Sequence, residues 1–255
     1  MPNPDPTTRF STRVADYIRY RPGYPDGLLD ILQNEAGLSP ASMVADIGSG
    51  TGISTELLLR SGATIHAVEP NPDMRHAAEQ MLGDRPNFRS INGRAEATGL
   101  PDAGIDLITA AQAFHWFDRE EARREFVRIL RPNGWVALFW NTRRTDASEF
   151  LRGYEDLLRE FATDYVQVDH RHVDTQAIAD FFRGPFATRI LANEQVFDFE
   201  GLKGRLLSSS YAPAAGHPKH LPMIDALRIL HDRHADGGKV RFLYDVEVYF
   251  GRLEG

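Results

Sequence analysis

The type of fold is indicated most clearly by one stretch of the chain, Val44-Ala45-Asp46-Ile47-Gly48-Ser49-Gly50-Thr51-Gly52. An apolar strand pattern runs into a turn with glycine at every second position, and a helical pattern follows directly. Glycine is favoured where the backbone turns tightly or approaches a ligand closely, because it has no Cβ atom. At the carboxyl end of a parallel strand, such a turn opens into the crevice where these sheets bind ligands. The stretch therefore predicts a ligand-binding strand–turn–helix unit.

A second acid, Glu69, ends the next predicted strand. In nucleotide-binding units, an acid about 20 residues beyond the glycines accepts hydrogen bonds from ribose hydroxyls. The dinucleotide fingerprint is GxGxxG with a pyrophosphate at the helix N-terminus, whereas this chain has GxGxG preceded by Asp46. An acid there repels a pyrophosphate and favours a cationic amino group. The pattern favours a positively charged nucleoside such as S-adenosylmethionine over NAD; the alternative is a structural turn with a surface glutamate.

Short apolar runs alternate with helical patterns outward from this turn. The predicted strands are Met43–Ile47, Thr64–Glu69, Asn87–Ile91, Ile105–Ala110 and Trp135–Trp140. Asn71 followed by Pro72 predicts one helix start, and Asp118 followed by Glu121 predicts another. Regular alternation of strand and helix implies an α/β fold, a Rossmann-like, mostly parallel sheet with helices on both faces.

The C-terminal part has a different pattern. Helices are predicted around residues 147–162, 175–182 and 220–234, with a strand near 188–199. Lys239–Phe250 alternates apolar and polar positions, which predicts an antiparallel strand added to the sheet. We expect residues 1–40 to form a helical N-terminal lid. Residues 41–255 would form the main domain, with residues 141–236 containing a substrate-specific insertion.

Composition narrows the class of protein. The 255 residues include 29 Lys and Arg against 36 Asp and Glu, so a general nucleic-acid partner is disfavoured. The chain has no cysteine, which excludes disulfides, cysteine-bound metals and a cysteine nucleophile. No run approaches the ~20 apolar residues of a membrane helix, and the first residues do not resemble a secretory signal. We expect a soluble, cytoplasmic protein, either a monomer or a homodimer.

Four motifs in order carry a resemblance: DIGSGTG, AVEPNPDM, GRAEATGLPDAGIDLITAAQAFHWF and LRPNGWVALFWN. Together they resemble the class I S-adenosylmethionine-dependent methyltransferases. The match is closest to the small-molecule branch that includes trans-aconitate and quinone-biosynthesis methyltransferase-like proteins. The resemblance implies a seven-stranded sheet with an antiparallel last strand, S-adenosylmethionine as cofactor and S-adenosylhomocysteine as product. It covers roughly residues 17–141 and says little about the acceptor.

The resemblance also implies a set of cofactor-binding residues. The glycine turn would surround the methionine part, Glu69 the ribose, and the residues after the second, third and fourth strands the adenosine and the amino group. The implied residues are Asp46, Gly48, Ser49, Gly50, Gly52, Glu69, Pro70, Asn71, Met74, Ala95, Glu96, Ala111 and Gln112.

Methyl transfer from a sulfonium is a direct displacement with a neutral leaving group, so positioning matters more than acid–base chemistry. His115 is the candidate base or substrate-orienting group, and a histidine that only shapes the pocket is the alternative. The other candidate acceptor or lid residues are Tyr17, Tyr20, Arg21, Tyr24, Trp116, Asn141, Arg143 and Arg144. The arginines suit a carboxylate-bearing acceptor; a solvated surface pair is the alternative for Arg143 and Arg144.

Other classes of function stay in competition. His170 and His172 flank Arg171, but we interpret this stretch as a polar loop and predict no metal site. The absence of a basic run argues against an RNA or DNA track. The reading is therefore a methyltransferase for a small-molecule acceptor. The alternatives are an NAD-dependent oxidoreductase and a protein that binds S-adenosylmethionine without chemistry.

Overall fold

The structure is a computed structural model, and it describes residues 14–163, 165 and 175–254. The helices are α1 (Val14–Tyr20), α2 (Asp26–Glu35), α3 (Ile53–Leu59), α4 (Pro72–Leu82), α5 (Arg119–Ile129), α6 (Glu149–Phe161), α7 (Thr175–Phe182), α8 (Phe199–Leu207) and α9 (His220–His234). The strands are β1 (Met43–Ile47), β2 (Thr64–Val68), β3 (Phe88–Ile91), β4 (Ile105–Ala111), β5 (Leu130–Arg143), β6 (Phe186–Phe197) and β7 (Val240–Gly251).

Within the described residues the strands form one seven-stranded sheet in the order β3-β2-β1-β4-β5-β7-β6. Neighbouring strands from β3 to β5 pair in parallel. β7 lies antiparallel to both β5 and β6, so it alone runs against the others. The predicted Rossmann-like, mostly parallel sheet with an antiparallel last strand is confirmed.

The predicted helix starts are also confirmed. The side chain of Asn71 accepts hydrogen bonds from the backbone N–H groups of Asp73 and Met74 at the start of α4. The side chain of Asp118 accepts one from the N–H of Glu121 at the start of α5. In each case a side-chain oxygen satisfies backbone donors that a helix leaves unpaired at its first turn.

Two elements differ from the prediction. The strand predicted near residues 188–199 begins at Phe186 and ends at Phe197, and α8 follows at once. The side chain of Asp198 caps α8 by accepting a hydrogen bond from the N–H of Gly201. The glycines at 201 and 204 lower helix propensity, which hid this helix from a reading of periodicity. Strand β5 is also longer than predicted because its first residue, Leu130, pairs with Ile105 before a shift of register.

Apolar side chains pack on both faces of the sheet and in a separate C-terminal cluster. Leu28, Leu32 and Leu58 cover one face, and Ala122, Phe126 and Phe182 cover the other. A further cluster joins α6, α8 and α9 to the first half of β7. At the carboxyl edge of the sheet, the ends of β1, β4 and β5 line a cavity together with residues of this C-terminal cluster. That edge is the expected ligand-binding side of a parallel sheet.

No helix in the described ranges is long and apolar enough to cross a membrane.

Candidate active site

The glycine turn after β1 has the backbone shape that its sequence predicts. Gly48, Gly50 and Gly52 all have positive φ, at 69°, 56° and 90°. A Cβ atom on Gly48 would lie 2.6 Å from the Cβ of Ala113, and one on Gly52 would lie 2.8 Å from Leu82. A Cβ on Gly50 would have no protein atom within 4 Å. Two glycines therefore permit close packing, and Gly50 keeps open space beside the turn.

Glu69 is tied to this turn through both carboxylate oxygens. Its Oε2 accepts a hydrogen bond of 2.9 Å from the N–H of Gly50, and its Oε1 accepts one of 2.8 Å from the N–H of Asn71. Burial raises the pKa of Glu69, while these backbone hydrogen bonds and the guanidinium of Arg75 partly offset the effect. Each carboxylate oxygen has lone pairs beyond those used. Glu69 is thus a held acceptor of hydrogen bonds at the mouth of the turn.

Asp46 lies beneath the turn instead of in the open space. Its carboxylate is fully buried and accepts hydrogen bonds from the hydroxyls of Ser54 and Thr55, each at 2.7 Å, and of Thr109 at 2.9 Å. Burial raises the pKa of Asp46, and the three hydroxyls work against that rise. Asp46 therefore fixes the start of α3 and reaches the cleft through Ser54, which lines it.

One cavity of about 140 Å³ lies next to Glu69. It gathers most of the residues predicted to bind the cofactor beyond the glycine turn, those for the adenosine and those for the amino group: Glu69, Pro70, Asn71, Met74, Ala95, Glu96, Ala111 and Gln112. Gly52 is absent from the described lining because its role is the close contact with α4. The ends of β2, β3 and β4 thus place the predicted residues around one space.

A second cavity of about 230 Å³ adjoins the first. Both are lined by Tyr17, Gly48, Gly50, Ala111, Gln112 and Trp116. The second cavity extends from the glycine turn, including Ser49, towards the C-terminal cluster. A ligand at the turn would therefore reach from one cavity into the other.

The N-terminal segment covers the second cavity and is pinned to the sheet. Tyr17, Arg21 and Tyr24 line it. The carbonyl of Gly23 accepts hydrogen bonds from the side-chain amides of Asn141 at 3.2 Å and of Asn193 at 2.9 Å. The ring of Tyr20 points away from the cavity and packs onto α8, where a Cβ on Gly204 would lie 2.2 Å from it.

The two neighbouring arginines at the end of β5, Arg143 and Arg144, have different surroundings. Arg143 lines the cavity, where its Nη2 donates to a carboxylate oxygen of Glu155 at 2.7 Å and to the hydroxyl of Tyr165 at 2.8 Å. Both partners of this ion pair are buried, with side chains 8% and 6% exposed. Arg144 is not among the described lining residues, and its backbone N–H donates to the carbonyl of Leu243.

His115 lies in a short 3₁₀ helix, Phe114–Trp116, after β4. It lines the second cavity, and its ring contacts that of Trp116 with a centroid distance of 4.8 Å. His115 therefore lies on the side of the second cavity and is not among the described residues that line the first.

The sequence of this chain is similar to those of known proteins. Residues 45–138 match the family described as "Methyltransferase domain". An uncharacterized methyltransferase of Geobacillus thermodenitrificans is 30% identical over 154 residues, which are 56% of this chain and 68% of that protein. The chain belongs to the class I S-adenosylmethionine-dependent methyltransferases.

Other relatives agree with this membership. A methyltransferase-like protein of Schizosaccharomyces pombe is 40% identical over 135 residues, 52% of this chain. The match spans about half of that relative's own length, 52%. A solved structure of a candidate type II methyltransferase from Anaeromyxobacter dehalogenans has a TM-score of 0.67 at 25% identity and covers 92% of this chain and 98% of its own.

The residues of the site fit S-adenosylmethionine, the cofactor of this family. A Cβ on Gly50 would have no protein atom within 4 Å, and Glu69 has acceptor lone pairs that its two backbone hydrogen bonds do not use. The cavity joins an apolar end near Met74 and Ala95 to a polar turn, as a nucleoside with a charged tail requires.

The sequence does not predict four residues that line the second cavity. The second cavity is also lined by Arg205 at the end of α8, and by Tyr165, Tyr211 and Tyr244. They come from elements far apart in the chain, so no local motif marks them. Only the prediction of an insertion over residues 141–236 pointed to this region. The predicted polar loop with His170 and His172 lies outside the described residues.

Proposed function

We propose that this protein transfers a methyl group from S-adenosylmethionine to a small-molecule acceptor that carries a carboxylate. The observation that carries the proposal is the pair of adjoining cavities, which share the glycine turn. One has the lining of a nucleoside site, and the other is lined by arginines and tyrosines. A donor and an acceptor bound side by side meet the geometric requirement for a displacement reaction.

When bound, the cofactor supplies an electrophilic methyl group whose departure leaves a neutral thioether. Gly48 and Gly50 allow close approach of the backbone, and Glu69 holds the ribose hydroxyls. Asp46 acts as a positioning residue that fixes the turn through Ser54 and Thr55. The carbonyls of Ala111 and Gln112 face the amino group of the methionine part.

On the acceptor side, His115 orients the acceptor or takes its proton, beside the wall formed by Trp116. Residues 14–40, the described part of the predicted 1–40 lid, cover the cleft, and Tyr17 and Tyr24 exclude water from it; residues 1–13 of that prediction lie outside the described residues. Arg21 attracts the carboxylate by its charge, and Arg143, whose charge Glu155 balances, donates a hydrogen bond to it. The trans-aconitate-like or quinone-biosynthesis-like branch, a cytoplasmic location and a monomeric or homodimeric state stay predictions.

The test is methyl transfer itself. The full chain is incubated with S-adenosylmethionine labelled in its methyl group and a panel of small organic acids and their amides. We expect labelled product from the acids, loss of product in Glu69→Ala, and normal product in Glu56→Ala, an acid of α3 that lines neither cavity. Product from amides alone would contradict the carboxylate part of the proposal. No product with any acceptor, in protein that binds the cofactor, would contradict methyl transfer.

A further inference from the structure

The far end of the second cavity holds more positive than negative charge. Arg21, Arg143 and Arg205 all line it. Arg143 is neutralised by Glu155. Arg21 and Arg205 have no ion-pair partner among the described residues, although Arg21 is partly buried and Arg205 is only 5% exposed. Isolated buried charges are costly, so they are normally paired.

Among the described residues, the guanidinium groups of Arg21 and Arg205 donate hydrogen bonds to uncharged partners. Nη2 of Arg21 donates to the carbonyl of Ser208 at 3.3 Å, and Nη1 of Arg205 donates to the hydroxyl of Ser209 at 3.2 Å. The Nε atom of each is buried without a hydrogen-bond partner in the described ranges. A guanidinium has five N–H donors, so each of these arginines keeps donors that no described residue uses and that a ligand in the cavity could satisfy.

The positive potential at this end is visible on neighbouring groups. Burial lowers the pKa of Arg21, and the charge of Arg205 lowers it further. Burial would raise the pKa of the Tyr211 phenol, yet the guanidiniums of Arg143, Arg205 and Arg21 outweigh it and lower that pKa. Tyr211 also lines the cavity. An anion placed here would relieve the repulsion between the two arginines.

We propose that Arg21 and Arg205 form a recognition site for an acceptor with two negative charges, carried by two carboxylates or by a phosphate monoester. A single carboxylate would leave one buried cation uncompensated, whereas two negative charges balance the pair. The inference rests on the proposed function, since it specifies the acceptor of that reaction. Arg205 is the specificity-determining residue, because Arg21 belongs to the lid while Arg205 is built into α8.

Calorimetry with the full chain, saturated with S-adenosylhomocysteine, tests the site. The probes are glutarate, its monoamide glutaramate and glycerol 3-phosphate. Glutarate and glutaramate match in size and differ by one charge. A charged hydrogen-bonded contact contributes about 1.5–3 kcal/mol, so we expect the better of the two dianions to bind at least about tenfold more tightly than glutaramate. Which dianion binds more tightly distinguishes two carboxylates from a phosphate.

Variants separate recognition from folding. Arg205→Met should abolish the preference for dianions and leave the affinity for S-adenosylhomocysteine unchanged, whereas Arg205→Lys should keep part of the preference. Arg233→Met removes one exposed charge from α9 and is the matched control. Without ligand, Arg205→Met should melt at the same temperature as the parent or higher, because it removes an unpaired buried charge.

Each contrary result has a distinct meaning. Equal affinity for glutarate, glutaramate and glycerol 3-phosphate, or no binding of any of them, would overturn the dianion site while cofactor binding survives. Weaker binding of S-adenosylhomocysteine by Arg205→Met would overturn it as well, because the arginine would then serve the cofactor's own carboxylate. Failure of the parent protein to bind S-adenosylhomocysteine would instead contradict the proposed function.

Discussion

The two adjoining cavities are named here after the proposed function: the cofactor cavity is the one beside Glu69, and the acceptor cavity is the one beside Arg143. They are built in opposite ways. The cofactor cavity is lined by short turns that directly follow β1 to β4, and its hydrogen bonds run largely between backbone groups and one acid, Glu69. The acceptor cavity is lined by side chains from α1, β5, α8 and β7, segments that are far apart in the chain. One site is local and made of backbone; the other is assembled by tertiary packing.

Because of this difference, the two cavities tolerate sequence changes to different extents. A backbone turn can be altered only at the cost of strain, so the donor site tolerates little change. Side chains on packed helices can be exchanged without moving the sheet. The charges differ as well: Glu69, Glu96 and Arg94 line the cofactor cavity, whereas the charged residues described along the acceptor cavity are Arg21, Arg143 and Arg205.

The largest expected effect is a loss of folding stability on the side of the acceptor cavity, with no change in cofactor binding. Glu155→Gln leaves the buried guanidinium of Arg143 without its carboxylate partner. We expect the free energy of unfolding to fall by about 3 kcal/mol, measured by chemical denaturation, with unchanged affinity for S-adenosylhomocysteine. Glu160→Gln, an exposed acid on the same helix, is the control. Equal losses in both variants would show that the ion pair is unimportant.

The next largest expected effect is a loss of affinity for S-adenosylhomocysteine, caused by a substitution in the glycine turn. Gly50→Val places a side chain in the open space beside the turn. We expect about a hundredfold loss of affinity for S-adenosylhomocysteine, about 2.7 kcal/mol. Gly238→Val is the control, because Gly238 also has positive φ and open space but lies in the turn before β7. Both variants should lose similar stability from backbone strain. An equal loss of binding in both would contradict the assignment of the turn.

A smaller effect concerns pH. Burial raises the pKa of both Asp46 and Glu69. Between the ordinary and the raised pKa, the folded protein holds more protons than the unfolded chain. The free energy of unfolding of the ligand-free protein should therefore rise as the pH falls through this window. Affinity for S-adenosylhomocysteine should fall over the same window, because the carboxylates lose their charge.

Thermal melting and calorimetry across this pH range measure the two trends. Glu69→Gln should flatten both curves, since it removes one of the titrating groups. Stability and affinity that fall together with decreasing pH would contradict the role given to these buried acids.

The features that the sequence predicts correctly are local ones, and those that it does not predict depend on contacts between distant segments. The turn, Glu69 and the caps at Asn71 and Asp118 are local patterns, and the structure has each in the predicted place. The position of Asp46 beneath the turn was not predictable, because it depends on the hydroxyls of Ser54, Thr55 and Thr109.

Predictability was lower in the C-terminal part. Helix α8 was missed because two glycines weaken its pattern, and Arg205 was missed with it. Arg143 and Arg144 look equivalent in sequence, yet only the first has a buried acid within reach. Residues brought together by packing carry no signal in the spacing of one sequence.

Binding of S-adenosylmethionine and its product at the glycine turn and Glu69 is tested most directly by calorimetric titration of the full chain with S-adenosylhomocysteine and, separately, with NAD. We predict equimolar binding of S-adenosylhomocysteine that is lost in Glu69→Ala, and no heat of binding with NAD. Binding of NAD, or no binding of S-adenosylhomocysteine to correctly folded protein, would contradict the account.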